Sequence, residues 1–309
     1  MAILPLASGV FTGLRSLQTD VPASETFTML YEQSRWDNGG HEAPALLPSF
    51  CCFHCDHLRG ALPRTEFGNH DRPHRWRVSG RADDQVEGPE KLPAMLIVQW
   101  ASIYPLQKPW VTDRAAGGWL VLNIMAHDLP IDEPAEFYAA QTDGPLRDYW
   151  GIGNDDRETS YFLRMYLSCY RAAEYMSQRP DWDSKTLVVS GTSQGGQQTL
   201  MLAGFHPKIT AALALVPAGC DMLGPDIGRR GGCPQWYSIT NGKDPAKVHQ
   251  ASRYFDVVNF ASRVRCPVLA GVGLIDETCP AAGVFAALNQ MQVPKEIVVL
   301  PQSDHQGRG

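Results

Sequence analysis

The chain has no uninterrupted apolar run of about 18 residues, the length a membrane-crossing helix needs. It has no basic excess either: 27 Lys and Arg stand against 33 Asp and Glu, for a net charge of −6. The positive footprint of a nucleic-acid surface is missing, so neither a nucleic acid nor a membrane is an expected partner. Charge is sparse at 19%, whereas 44% of the 309 residues are hydrophobic. That balance excludes a wholly disordered chain and predicts a packed core, sufficient for one large α/β domain with or without an appendage. No internal repeat stands out. The first residues, Ala2-Ile3-Leu4-Pro5-Leu6, are mildly apolar, but no basic stretch precedes them and Pro5 and Gly9 interrupt them. A plain N-terminal segment, and with it a cytoplasmic protein, is expected; a degenerate signal peptide and secretion are the alternative.

A small disulfide framework is also absent. The eight cysteines, at 51, 52, 55, 169, 220, 233, 266 and 279, are scattered. Cys52-Phe53-His54-Cys55, with Cys51 and His57 beside it, has the spacing of half a zinc site. No second ligand pair follows at finger-like distance, so free thiols and no metal are expected. Cys220 and Cys233 bracket a glycine-rich loop and could pair only in an oxidising compartment.

What is present falls into two parts. Residues 1–90 show no sustained period of 2 or 3.6, and 36–90 are rich in His, Arg, Cys, Gly and Pro; they read as a poorly defined segment or accessory layer. From about residue 91 to 309, short apolar runs at 94–99, 119–125, 187–190, 211–216, 268–273 and 296–300 alternate with helical stretches at about 105–117, 158–178, 194–204 and 281–291. Continuous apolar runs suit strands covered on both faces, and the alternation predicts a doubly wound, mostly parallel α/β sheet flanked by helices. Residues 217–265, with a helical stretch near 245–264, read as a lid-like insertion or pocket wall.

The most informative stretch is Gly191-Thr192-Ser193-Gln194-Gly195-Gly196. A β-branched run precedes it and a helical pattern follows, which is the strand–turn–helix setting a nucleophilic serine on a sharp turn requires. Serine needs a base, and the base needs an orienting acid. In the order serine, acid, histidine, Asp276 follows the run 268–273 and His305 follows the run 296–300, so Ser193, Asp276 and His305 are the candidate catalytic residues. Glu277 is the better rival acid, since Asp304 adjoins the base in sequence. The N–H of Gln194 and one from Trp100 or Ala101 are the candidate oxyanion donors. His127 reads as structural or substrate-facing, His206 as a helix C-terminal cap, His249 as exposed. Trp100, Tyr104, Trp110, Trp150, Trp236 and Tyr237 are candidate sugar-stacking aromatics, although each singly is more readily an ordinary core or surface ring. Tyr104, Trp236 and His127 are carried forward as candidate substrate contacts.

With these residues in view, the chain resembles the acetyl xylan esterase / cephalosporin C deacetylase family of α/β-hydrolases over roughly residues 90–305. The resemblance rests on Gly191–Gly196, Gly273-Leu274-Ile275-Asp276 with Pro280, His305 after the last strand, Asp181-Trp182-Asp183, Ser252–Asp256 and Asn259-Phe260-Ala261. It departs where the family's Arg-Gly-Gln, His-Glu and His-Gly-Tyr read as the Asn123–Pro130 segment, His305-Gln306 and Gln99-Trp100-Ala101, which marks a divergent member. A closing helix is expected after the last strand, and the chain ends four residues past His305, so a shortened member is expected. The resemblance implies hydrolysis of short acyl esters, acetyl above all, on carbohydrate-type alcohols, without a cofactor and with a homo-oligomer compatible. A peptidase, dienelactone-type or polyester-active hydrolase, or a non-catalytic member of the fold, are the alternatives.

Overall fold

Six short runs of aliphatic and β-branched residues form the strands of one sheet in the computed structural model. It describes residues 91–125, 127–130 and 133–308; the readings made for 1–90, including the Cys52–Cys55 motif, lie outside the described residues. The strands are β1 (Leu92–Val98), β2 (Leu120–Ile124), β3 (Trp182–Thr192), β4 (Ala211–Leu215), β5 (Val268–Gly273) and β6 (Lys295–Leu300). They lie in the order β2-β1-β3-β4-β5-β6, and every neighbouring pair is parallel. The chain thus winds outward from β1 to one edge, then returns through β3 to the other, as an open doubly wound sheet does. The fold is that of an α/β-hydrolase.

Among the described residues, seven α-helices connect these strands: α1 (Lys108–Ala116), α2 (Ala135–Asp143), α3 (Tyr161–Ser177), α4 (Gln194–Phe205), α5 (Pro245–Ser252), α6 (Val258–Ala261) and α7 (Ala281–Gln290). The α3 stripe predicted from its period is buried throughout: Phe162, Met165, Tyr166, Cys169, Ala172, Ala173 and Met176 face inward, and Ser160 caps the helix by accepting from Phe162 N–H. Helix α4 is buried along nearly its whole length between the sheet and α3 and α6. Each of its large apolar side chains contributes about 1.5–3 kcal/mol by leaving water, so the turn that starts this helix stands on the best-packed part of the molecule. None of the described helices is long and apolar enough to cross a membrane.

Three local differences from the sequence expectations have physical reasons. The strand expected at 187–190 begins earlier, at Trp182, because the Asp183 carboxylate accepts from Lys185 and Thr186 N–H and turns the chain into register. Helix α2 was not expected: Tyr138 is its one buried residue, so it carries no apolar stripe to read. The helix expected over 245–264 breaks in two, where Asp256 takes three backbone N–H groups, from Asp221, Met222 and Val258. Burial holds that carboxyl up at about 7, against the pull of those donors. Residues 217–265 as a whole send Trp236, Phe255 and Phe260 into the main core.

Candidate active site

The carboxyl ends of β1, β3, β5 and β6 converge on one rim of the sheet. At the end of β3 the chain turns through Ser193, which sits at φ 56°, ψ −118° just before the first residue of α4. A non-glycine residue in that region costs about 1–3 kcal/mol and persists only where its surroundings hold it. Here Ser193 N–H donates to Leu215 O at 2.8 Å. Two glycines make the turn possible: a Cβ on Gly191 would meet Gly195 O at 2.4 Å, and one on Gly195 would meet Val98 O at 2.5 Å. The second contact brings the nucleophile turn against the end of β1.

The loops after β5 and β6 deliver the other two residues. Asp276 has its side chain fully buried, and His305 has 15% of its side chain exposed. His305 Nδ1 lies 2.8 Å from Asp276 Oδ2, and its Nε2 lies 2.9 Å from Ser193 Oγ. The remaining oxygen of Asp276 accepts from Thr278 and Cys279 N–H, both at 2.8 Å. Since the carboxylate accepts, Nδ1 carries the ring proton and Nε2 is left to take the serine hydroxyl's hydrogen bond. Glu277, the rival acid, points into solvent and pairs with Arg230 at 3.1 Å.

Against Gln194, the residue after Ser193, lies a small cavity of about 60 Å³ lined chiefly by Ala101, Trp150, Gln194, Gln197, Cys233 and Pro234. Gln194 begins α4, so its N–H has no acceptor within the helix. Ala101 shares this cavity with Gln194, whereas Trp100 is half-exposed, stacked on Tyr104 at 5.3 Å and edge-on to Trp110 at 4.6 Å. The turn at Ser102 has φ 90°. Its N–H reaches Tyr149 Oη at 3.4 Å, and its carbonyl reaches His127 Nε2 at 3.1 Å. Tyr149 Oη also donates to Gln194 Oε1 at 2.7 Å.

Two candidate substrate contacts are corrected. Trp236 is wholly buried against Phe162 and Phe255, at 5.2 and 5.3 Å between ring centroids, and faces no substrate. His127 is buried with both ring nitrogens occupied, by Ser102 O and Tyr161 Oη, and burial lowers it to about 4. It is a neutral structural histidine. Tyr104 packs beneath Trp100 rather than in the cavity, and burial pushes its phenol upward. The Tyr237 side chain lies outside the described residues. Trp150, read from sequence only as one aromatic among six, and Cys233, Pro234 and Gln197 line the cavity. Nothing in their local sequence marks them, because they come from loops and a helix brought together by the fold.

Among the described residues, His206 and His249 lie outside this site. His206 caps α4 and meets Glu174 at 3.0 Å. His249 is half-exposed and pairs with Asp226. Cys220 and Cys233 are free thiols. Asp276, Cys279 and His305 place ligand atoms within 4.8 Å of one another. In that set the ligand atoms of Asp276 and His305 are taken up by hydrogen bonds to each other, to Ser193 and to the Thr278 and Cys279 N–H groups.

Comparison with known proteins shows the family and the fold. The family model for acetyl xylan esterase (AXE1) matches residues 139–309. The acetyl esterase Axe7A of Xylanibacter ruminicola is 36% identical over 218 residues, 70% of this chain and 49% of that protein. The chain therefore spans about half the length of that curated relative. Among solved structures, the acetyl xylan esterase from Paenibacillus sp. R4 superposes with a TM-score of 0.59 at 24% identity, covering 73% of this chain and 72% of that one. Acetyl xylan esterase 1 from Thermoanaerobacterium sp. JW/SL YS485 gives 0.59 at 24% identity over 72% of each. At that identity these two likenesses speak for the fold, while the family match and the curated relative speak for descent: the chain belongs to the acetyl xylan esterase family.

Proposed function

We propose that this protein is a serine carboxylic ester hydrolase that removes short acyl groups, acetyl above all, from carbohydrate-type esters. The reading is carried by one observation, the unbroken hydrogen-bonded line from Asp276 through His305 to Ser193 at 2.8 and 2.9 Å, ending one residue before Gln194, which lines the cavity. Ser193 Oγ gives its proton to His305 Nε2 and attacks the ester carbonyl. The oxyanion is held by Gln194 N–H and an N–H of the 100–101 segment. His305 protonates the departing alcohol, and water, deprotonated by the same ring, releases the acid from the acyl-enzyme. Asp276 keeps the ring in the tautomer that this sequence needs. A cavity of about 60 Å³ suits an acetyl-sized group, far below the several hundred Å³ of a site for larger ligands. The carbohydrate alcohol is supported by family membership and by the name of the Xylanibacter relative.

The test is hydrolysis of p-nitrophenyl esters from acetate to octanoate, followed by acetate release from acetylated xylan. Activity is expected to peak at acetate and to vanish in Ser193→Ala while the fold is retained. Activity surviving in Ser193→Ala sinks the mechanism, and a preference for long chains sinks the acyl assignment.

A further inference from the structure

Catalysis by an oxyanion hole depends on the distance between its two donors, and these donors belong to segments far apart in sequence. One is the first residue of α4, Gln194; the other lies in the loop after β1, which passes through Ser102 at φ 90°. Such a turn in a non-glycine residue is not held by its own preference. It is held from two sides. The Tyr149 hydroxyl accepts from Ser102 N–H at 3.4 Å and donates to Gln194 Oε1 at 2.7 Å, so one oxygen spans both segments. Behind it, His127 meets Ser102 O through Nε2 at 3.1 Å. A carbonyl only accepts, so Nε2 carries the proton and Nδ1 accepts from Tyr161 Oη at 3.0 Å. The His127 and Tyr149 rings meet edge to face at 4.6 Å.

We infer that Tyr149 is a positioning residue, its hydroxyl setting the gap between the two oxyanion donors, with His127 bracing the loop from behind. The inference rests on the ester-hydrolase reading of Ser193. It assigns Tyr149 no contact with the substrate. Its role is to act through Gln194 and the 100–102 loop, and its loss is felt only where negative charge develops on the substrate oxygen.

The test uses the full chain with p-nitrophenyl acetate, comparing wild type, Ser193→Ala, Tyr149→Phe, Gln194→Met and the double variant Tyr149→Phe/Gln194→Met. Phe keeps the ring packing, and Met keeps the Gln194 N–H while removing the side-chain acceptor. Tyr149→Phe is expected to lower kcat about tenfold with KM within about twofold, less than the hundredfold or more that follows loss of a whole oxyanion donor. Affinity for a trifluoromethyl ketone, which forms a tetrahedral adduct, is expected to fall by the same factor, while inhibition by acetate is unchanged. Gln194→Met is expected to behave alike, and the double variant to be no worse than either single one. An unchanged kcat, or a rise in KM with kcat intact, overturns the positioning role. If Tyr149→Phe fails to fold, Gln194→Met breaks the same hydrogen bond from the other end, and an unchanged kcat there is equally decisive. Activity in Ser193→Ala condemns the hydrolase reading instead, so the two failures are told apart.

Discussion

The two sides of the proposed catalytic centre are held in place by different means. On the triad side, most of the holding contacts are short-range: Ser193 is fixed by the turn itself and by Leu215 at the end of the neighbouring strand β4, Asp276 by N–H groups two and three residues ahead, and the His305 loop by Asp304, which accepts from Gln306 and Arg308. On the oxyanion side, Ser102 is held by His127 and Tyr149, 25 and 47 residues away, and Tyr149 reaches Gln194 across 45 more. The first side is local scaffolding on strand ends; the second is a long-range cross-brace. Substitutions on the first are expected to act on the chemistry directly, and those on the second through geometry.

The largest effect is expected from Asp276→Asn. The amide keeps one accepting oxygen and puts an NH2 donor in place of the other, so it favours the wrong imidazole tautomer, and a fall of about 10⁴ in kcat is expected without loss of fold. Esterase assays with circular dichroism on the same samples check this; a variant within tenfold of wild type removes Asp276 from the role. Next comes Gly195→Ala, at the point where the two sides touch. Its Cβ would lie 2.5 Å from Val98 O and 2.8 Å from Gln99 O, both backbone atoms at the end of β1. The strand end must move, at about 1–3 kcal/mol by the usual cost of overpacking, and the oxyanion loop moves with it. Urea midpoints and kcat are expected to fall together. A variant that loses stability but keeps kcat separates the two sides and breaks the comparison.

This division also decides what could be read before the fold was seen. The strand, turn and helix around Ser193 are spelled by contiguous residues, Thr186 to Ala203, and Asp276 and His305 each stand within five residues of a legible strand end. Periodicity and chain order therefore reach them. Tyr149 and Trp150 sit in a 3₁₀ turn, Tyr149–Gly151, that has no period to betray it, and their partners are fixed only once β1, α3 and α4 pack. Trp236 is a candidate substrate contact by residue type alone; the insertion's own aromatics, with Phe255 and Phe260, instead complete the core. An aromatic's type does not say whether its loop folds inward, and that is settled by burial alone.

The brace also has a signature in acid. Burial lowers His127 from 6.5 to about 4. In the unfolded chain the ring takes up a proton near its ordinary value, while the folded protein resists it. Its contribution to stability is therefore complete above about pH 6.5 and is lost as the pH falls from there towards 4. The shift corresponds to a loss on the order of 3 kcal/mol at the acid end. His127→Gln, which cannot titrate, is expected to be less stable at pH 7.5 but to show a shallower decline of Tm between pH 6.5 and 4.5. Thermal melts across that range measure the slope, and parallel curves for the two proteins show that the buried ring is not what makes the brace acid-sensitive.

The smallest effect is the sharpest control. Glu277 follows Asp276 directly in the chain and is the same kind of acid, yet the turn after β5 sends one carboxylate inward and the other out. Asp276 is sealed beneath His305, while Glu277 is 78% exposed and faces Arg230, itself 54% exposed, at 3.1 Å. An exposed pair of this kind is worth about 0–1 kcal/mol, and salt screens it further. Glu277→Gln is therefore expected to leave kcat within about twofold and to move Tm by no more than about 3 °C, the change that one kcal/mol produces in a chain of this size. Against the loss expected from Asp276→Asn, a single step along the backbone separates a very large effect from almost none. If Glu277→Gln costs activity on the scale of its neighbour, the acid has been assigned to the wrong side of the turn, and the local scaffolding that distinguishes the triad half is not the structure that works.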